Sequence, residues 1–207
     1  IMAGFLDFIF ASKKERTLKK WEKAGRPAPP PHYIKQQAIE EYQSTTGCTI
    51  LVETGTFMGD MVFAQKDNFE HIYSIELSEK LFEEAKKRFV NNKNVTILQG
   101  DSGKVLHTLI KEIKSPAIFW LDGHYSAGET AKGEKDCPIY EELSAIFSEP
   151  NPGHIILIDD ARCFIGTGDY PTIEAITAFI KQKDPAYKVT VKDDLIRYSL
   201  PRHHENT

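Results

Sequence analysis

The sequence predicts one doubly wound α/β domain built on a mostly parallel sheet. From residue 49 onward, short apolar runs alternate with amphipathic stretches. The runs are near-continuous in Ile, Val and Leu, as strands covered on both faces require. Each of the first five runs also ends in polar residues, and ligands of such sheets bind at the carboxyl ends of the strands. A length of 207 residues suits a single domain with a real core.

The elements run in order along the chain. Gly4–Phe10 is an apolar start, and Lys13, Lys14, Arg16, Lys19, Lys20 and Lys23 continue it as a basic helix. Such a helix suits packing on the domain or on a second copy in a homodimer; Phe and Ile beside Lys also suit weak interfacial contact with a membrane. Arg26–Pro31 reads as a stiff, extended spacer by its proline content. Ile34–Tyr42 reads as a further helix. Residues 1–47 thus form an N-terminal helical extension, and residues 48–207 the main domain. Its strands are expected at Thr49–Glu53, Ile72–Glu76, Val95–Gln99, Ala117–Leu121 and His154–Ile158. Leu81, Phe82, Ala85 and Phe89 line one helical face, as do Val105, Leu106, Leu109 and Ile110. Ile139, Leu143, Ile146 and Phe147 repeat the pattern. Ser102 and Thr172 stand where helix N-caps are wanted. Tyr187–Val191 and Leu195–Leu200, separated by Lys192-Asp193-Asp194, predict an antiparallel hairpin.

Composition narrows the function classes. A net charge of −4 exerts no global pull toward nucleic acid or anionic membrane. Cys48, Cys137 and Cys163 are few and lack CxxC spacing, so neither a disulfide framework nor a zinc site is expected, and a cytoplasmic setting is the default. No apolar run approaches the roughly 20 residues of a spanning helix. The apolar start also lacks the basic lead and cleavage site of a signal peptide.

The chemistry lies at the strand ends. The first run enters Glu53-Thr54-Gly55-Thr56-Phe57-Met58-Gly59, whose glycines allow a tight turn and close approach of a ligand. The second ends in Glu76, 21 positions after Gly55, the distance of an acid that accepts from a ribose. The third ends in Gly100-Asp101-Ser102, where Asp101 can accept from the adenine amine. Together these indicate a nucleoside. A dinucleotide needs a pyrophosphate seat of the G-x-G-x-x-G kind, whereas this loop reads E-x-G-x-x-x-G. Glu53 would be awkward beside a pyrophosphate and suits an ammonium. S-adenosylmethionine is therefore the expected ligand, bound by Glu53, Thr54, Gly55, Thr56, Gly59, Glu76, Asp101, Ser102 and Asp122.

Glu53-Thr54-Gly55 with Gly59, Ile72–Glu76 and Gly100-Asp101-Ser102 resemble the first three motifs of class I S-adenosylmethionine-dependent methyltransferases. The resemblance spans about residues 48 to 200. It implies a Rossmann-like, seven-stranded sheet whose last strands form the predicted hairpin.

The fourth run ends in Leu121-Asp122-Gly123-His124, and the fifth in Ile158-Asp159-Asp160-Ala161-Arg162. Asp122, Asp159 and Asp160 would converge and, unpaired, resist joint ionisation. A divalent cation resolves this, and oxygen donors suit Mg²⁺, Ca²⁺ or Mn²⁺. The pattern is similar to metal-dependent O-methyltransferases of the catechol and macrocin-like sugar types, which implies these three acids as metal ligands. The expected chemistry is O-methylation of a small hydroxylated acceptor, a sugar or a phenol. Asp122 would hold the acceptor through the metal, and His124, in a loop beside it, is the candidate base. Residues 125–135 read as a substrate loop or lid, and Arg162 and Gly166–Tyr170 as further acceptor contacts. Two other classes compete: a metal-dependent hydrolase, which leaves the glycine loop unexplained, and a non-catalytic nucleoside-binding scaffold. Nucleic-acid methylation is disfavoured by the charge and by the lack of an Asn-Pro-Pro-Tyr or Asp-Pro-Pro-Tyr motif.

Overall fold

A computed structural model describes residues 14–122 and 137–201. The expectations placed on Gly4–Phe10, Lys13, His124 and residues 125–135 lie outside the described residues.

Helix α1 covers residues 14–23 and buries Trp21 while Lys14, Lys19, Lys20 and Lys23 stay exposed. The segment after it is not a free spacer. Trp21 Nε1 donates to the Pro27 carbonyl at 2.8 Å, the Arg26 guanidinium lies 4.9 Å over the Trp21 ring, and Arg26 pairs with Asp193 at 2.7 Å. These contacts hold the proline-rich stretch against the body of the protein. Helix α2 (His32–Thr46) starts after Pro31 and ends at Gly47, whose left-handed φ of 69° lets its N–H cap the Gln43 carbonyl.

The main sheet is built from β1 (Ile50–Thr54), β2 (His71–Glu76), β3 (Val95–Gln99), β4 (Ala117–Leu121), β5 (Ile155–Ile158), β8 (Lys188–Lys192) and β9 (Leu195–Ser199). A separate hairpin pairs β6 (Ile165–Thr167) with β7 (Tyr170–Thr172). The main sheet has the order β3-β2-β1-β4-β5-β9-β8, with the first five strands parallel and β9 and β8 antiparallel. The expected seven-stranded sheet with a terminal hairpin is therefore present. Its turn, Asp193-Asp194, has φ of 55° and 61°, and Lys192 pairs with Leu195. Two central residues at positive φ match the strand twist in a two-residue hairpin turn.

Helices α3 (Asp60–Gln65), α4 (Glu79–Arg88), α5 (Ser102–Leu109), α6 (Ile139–Ile146) and α7 (Ile173–Lys183) complete the two outer layers. On one face, Ala38 and Ile39 of α2 and Met61 and Val62 of α3 pack on Leu51, Ile118, Trp120 and Leu157. Because α2 fills this core, the N-terminal extension is continuous with the main domain. On the other face, Leu106, Leu143, Ile146, Ile176 and Ile180 pack on Val52, Phe119, Ile156 and Ile196. Alternate residues of one strand thus serve opposite cores, as the pleat demands.

Two caps differ in outcome. Thr172 caps α7, accepting from Ala175 N at 3.1 Å. Asp101, not Ser102, caps α5 by accepting from Lys104 N at 3.2 Å. The extended backbone falls on Asp101, so Ser102 is already the first helical residue. His154 is buried beside the base of β5; its Nδ1 accepts from Ala117 N at 3.2 Å, and burial lowers its pKa to about 4. Among the described residues no helix is long and apolar enough to cross a membrane.

Candidate active site

The chain runs outward from β1 to β2 and β3, then returns to place β4 on the other side of β1. That reversal opens a crevice at the carboxyl ends of β1 and β4, where sheets of this kind bind ligands. The main-chain ladder continues just beyond the strands and fixes its rim. Gly55 N donates to the Ile75 carbonyl at 2.9 Å, Gly100 N to Glu76 at 2.9 Å, Asp122 N to Thr54 at 3.2 Å and Asp159 N to Leu121 at 3.0 Å. Alternation along the strands directs Glu53, Glu76, Asp122 and Asp159 to the face that also carries Leu51, Ile72, Trp120 and Leu157, beneath α2 and α3.

The glycine loop bends as expected, with φ of 83° at Gly55 and 75° at Gly59. Phe57 between them also adopts a positive φ of 48°, and its N–H donates to Glu76 Oε2 at 2.8 Å. Glu76 Oε1 accepts from Ser78 N at 2.8 Å. The second-strand acid therefore ties the loop to the start of α4, and each of its oxygens retains a lone pair for a ribose. Gly59 serves packing: a Cβ there would meet the Phe89 ring at 2.7 Å.

Glu53 is the most perturbed group of the rim, only 2% exposed. Ser74 Oγ donates to it and is also 2.6 Å from Thr56 Oγ1. Burial pushes the Glu53 carboxyl up to about 8; the Ser74 hydrogen bond opposes this, while Asp122 and Glu76 add to the rise. Thr54 accepts from Asp122 N through Oγ1 at 3.2 Å, so it orients the tip of β4. Ser102 Oγ donates to Glu142 Oε1 at 2.6 Å, which commits this expected ligand contact to the α5–α6 junction. Asp101 uses Oδ1 for its cap, and Oδ2 is the oxygen left for a ligand.

At the tip of β5, a residue absent from the sequence-based site meets the acids. Lys35 of α2 places Nζ 2.5 Å from Asp159 Oδ2 and 3.3 Å from Asp160 Oδ1. Asp159 Oδ1 accepts from Asp160 N at 2.7 Å, and Arg162 donates to Asp160 Oδ1 at 2.7 Å. Arg162 also pairs with Asp194 of the hairpin turn, so it braces the loop after β5. Asp160 itself sits at φ 55°, ψ 49°, a left-handed conformation costly for a non-glycine residue. Burial opposes the Lys35 charge, but Asp159, Asp160 and Asp122 outweigh it and hold the ammonium above the usual lysine range. His32, one turn earlier, is kept below the usual imidazole range by partial burial and then by Lys35.

These residues do not fit a divalent cation as they stand. The oxygens of Asp159 and one oxygen of Asp160 accept from Lys35, Arg162 and a backbone N–H, and the two cations among these donors would repel a metal ion at the same oxygens. Among the described residues, no three His, Cys, Asp or Glu side chains group as a metal cage. The reason is physical: the mutual repulsion that the acids would suffer is relieved by an ammonium supplied from α2. A signal for Lys35 does exist in the sequence. It lies four residues before the fully buried Ile39, on the apolar side of its helix.

A parallel sheet with an antiparallel terminal hairpin, a glycine loop after β1 and acids at the tips of β1, β2 and β4 together make the fold of class I S-adenosylmethionine-dependent methyltransferases. Solved structures agree. An O-methyltransferase from Bacillus cereus in complex with S-adenosylhomocysteine is 18% identical, with a TM-score of 0.60, over 92% of this chain and 91% of that one. The Streptomyces achromogenes O-methyltransferase TomG, involved in tomaymycin synthesis and solved with S-adenosylmethionine, is 14% identical, with a TM-score of 0.59, over 90% and 87%. A Podospora anserina methyltransferase bound to S-adenosylhomocysteine is 14% identical, with a TM-score of 0.58, over 91% and 86%. No protein-family model and no curated protein sequence matches the chain.

Proposed function

We propose that this chain is an S-adenosylmethionine-dependent methyltransferase that methylates a hydroxyl of a small acceptor, a sugar or a phenol. One observation carries the reading. Glu53, Glu76 and Asp122 face one crevice, and the burial of Glu53 beside the other two lifts its carboxyl to about 8. A buried carboxyl at a strand tip, with two more acids facing the same crevice, suits a positively charged ligand. S-adenosylmethionine has two positive groups, an ammonium and a sulfonium, and a nucleoside between them and the rim of β3. Its sulfonium methyl passes to the acceptor oxygen by in-line displacement: the C–S bond breaks as the C–O bond forms, the donor leaves as a neutral thioether, and the hydroxyl proton passes to a base or to solvent.

Glu53 would take the ammonium, Glu76 the ribose hydroxyls and Asp101 the adenine amine. Asp122, at the tip of β4, faces the reacting end, where alignment is the enzyme's main contribution. The base proposed from sequence, His124, lies outside the described residues. Metal-assisted O-methylation through Asp122, Asp159 and Asp160 enters only if Lys35 is displaced.

Calorimetric titration with S-adenosylmethionine and S-adenosylhomocysteine, with NAD as control, tests the reading. Binding of both methyl-cycle ligands and not of NAD is expected. Failure of both to bind would overturn it. Binding without methyl transfer across a panel of sugars and catechols would favour the scaffold alternative.

A further inference from the structure

We propose that Lys35 is the resident cation of this site: its ammonium holds the place at Asp159 and Asp160 that a divalent metal would need, so the site operates without one. The inference rests on the methyltransferase reading for its function, but its geometry stands on its own. Lys35 Nζ bridges the two carboxylates at 2.5 and 3.3 Å. Its side chain is 13% exposed and that of Asp159 is 1% exposed, so the contact is shielded from solvent. Arg162 supplies a second positive group to Asp160 at 2.7 Å. The acids after β5 are thus neutralised from two directions by the chain itself.

The anchoring is structural as well as electrostatic. Lys35 leaves α2 one turn before Ile39, which is fully buried against the sheet, and Gln36 on the same turn accepts from Gln65 of α3 through its carbonyl at 3.1 Å. The ammonium is therefore carried on a packed helix, which fixes the point from which Lys35 reaches the two acids. A metal seeking the same oxygens would meet a like charge within the reach of a coordination bond, and like charges at that distance repel strongly in a partly buried site. The ammonium donates to Asp159 Oδ2 and Asp160 Oδ1 and so supplies at these oxygens the positive charge that a metal would otherwise bring. Lys35 is in this sense a positioning residue for the two acids.

The test is Mn²⁺ titration followed by electron paramagnetic resonance, on the wild-type chain and on Lys35→Ala and Lys35→Arg. Wild type and Lys35→Arg are expected to leave millimolar Mn²⁺ free in solution. Lys35→Ala is expected to bind Mn²⁺ roughly tenfold or more tightly than wild type, the scale of removing one unit charge beside the ion. Adding Asp159→Asn to Lys35→Ala should abolish that gain. Tight Mn²⁺ binding by the wild-type chain would overturn the proposal even if the alanine variant failed to fold. A folded Lys35→Ala that gains no Mn²⁺ affinity would overturn it as well. S-adenosylhomocysteine titration of the wild-type chain keeps the two readings apart, because failure there counts against the methyltransferase reading while Mn²⁺ binding alone decides the Lys35 proposal.

Discussion

Glu53→Gln replaces a buried acid by its neutral isostere, and the structure sets both the sign and the size of the effect. The folded carboxyl titrates at about 8 against an ordinary value of 4.5. Between those values the folded state keeps a proton that the unfolded chain has released, so the stability contributed by Glu53 is complete below pH 4.5 and is lost as pH rises toward 8. Each pH unit is worth about 1.4 kcal/mol, which makes the deficit about 3 kcal/mol at pH 7 and close to 5 kcal/mol above pH 8. Glutamine has no such deficit. At pH 5 the two proteins should melt within about 1–3 °C of each other. At pH 7 the variant should melt higher by roughly 6–12 °C, at about 2–4 °C per kcal/mol for a domain of this size.

The same substitution should weaken the methyl donor. Loss of a charged hydrogen-bond partner costs about 1.5–3 kcal/mol, or roughly 10- to 100-fold in Kd. Wild type should also release a proton on binding the donor near neutral pH, as the incoming ammonium ionises Glu53; calorimetry in buffers of different ionisation enthalpy reads this directly. Thermal melts at pH 5, 6, 7 and 8 are the decisive assay. A gap between variant and wild type that stays constant across that range would refute the reasoning, because it would mean that Glu53 is ionised in the folded chain.

Groups outside the crevice give two further outcomes. His154, lowered to about 4 from 6.5, remains neutral while the unfolded imidazole takes a proton, so stability should fall by about 3 kcal/mol as pH drops from 6.5 to 4. His154→Asn, which keeps an acceptor for Ala117 N, should flatten that slope in urea titrations; an unchanged slope would show that the ring is accessible to protons. Thr172→Ala removes the cap of α7 and should cost about 1 kcal/mol, read as a shift of roughly 2–4 °C in the melt. A shift near zero would mean that the packing of Ile176 and Ile180 holds the helix without its cap.

Much of this protein is written locally in its sequence. The apolar runs placed β3 and β4 at their observed bounds and the other strands of the main sheet within a residue or two, because a buried strand must be apolar at nearly every position. Thr172 declared its cap, and Lys192-Asp193-Asp194 declared a turn, since both are short-range geometry. The β6–β7 hairpin left no such trace: its strands are three residues each and half-buried or exposed, so no alternation marks them. The acids at the strand tips were legible as a site; the spacing of Lys35 and Ile39 marked a lysine on the apolar side of α2, but not which acids it meets. Lys35 and Asp159 are 124 positions apart, and Arg26 and Asp193 are 167 apart. What the sequence determined by itself was the class of each element and the chemistry at its end, because periodicity and turn residues act within a few positions. Only the tertiary structure decided that α2 packs on the sheet with Lys35 at the acids after β5, because the meeting of a lysine with two distant aspartates depends on the path of every strand between them.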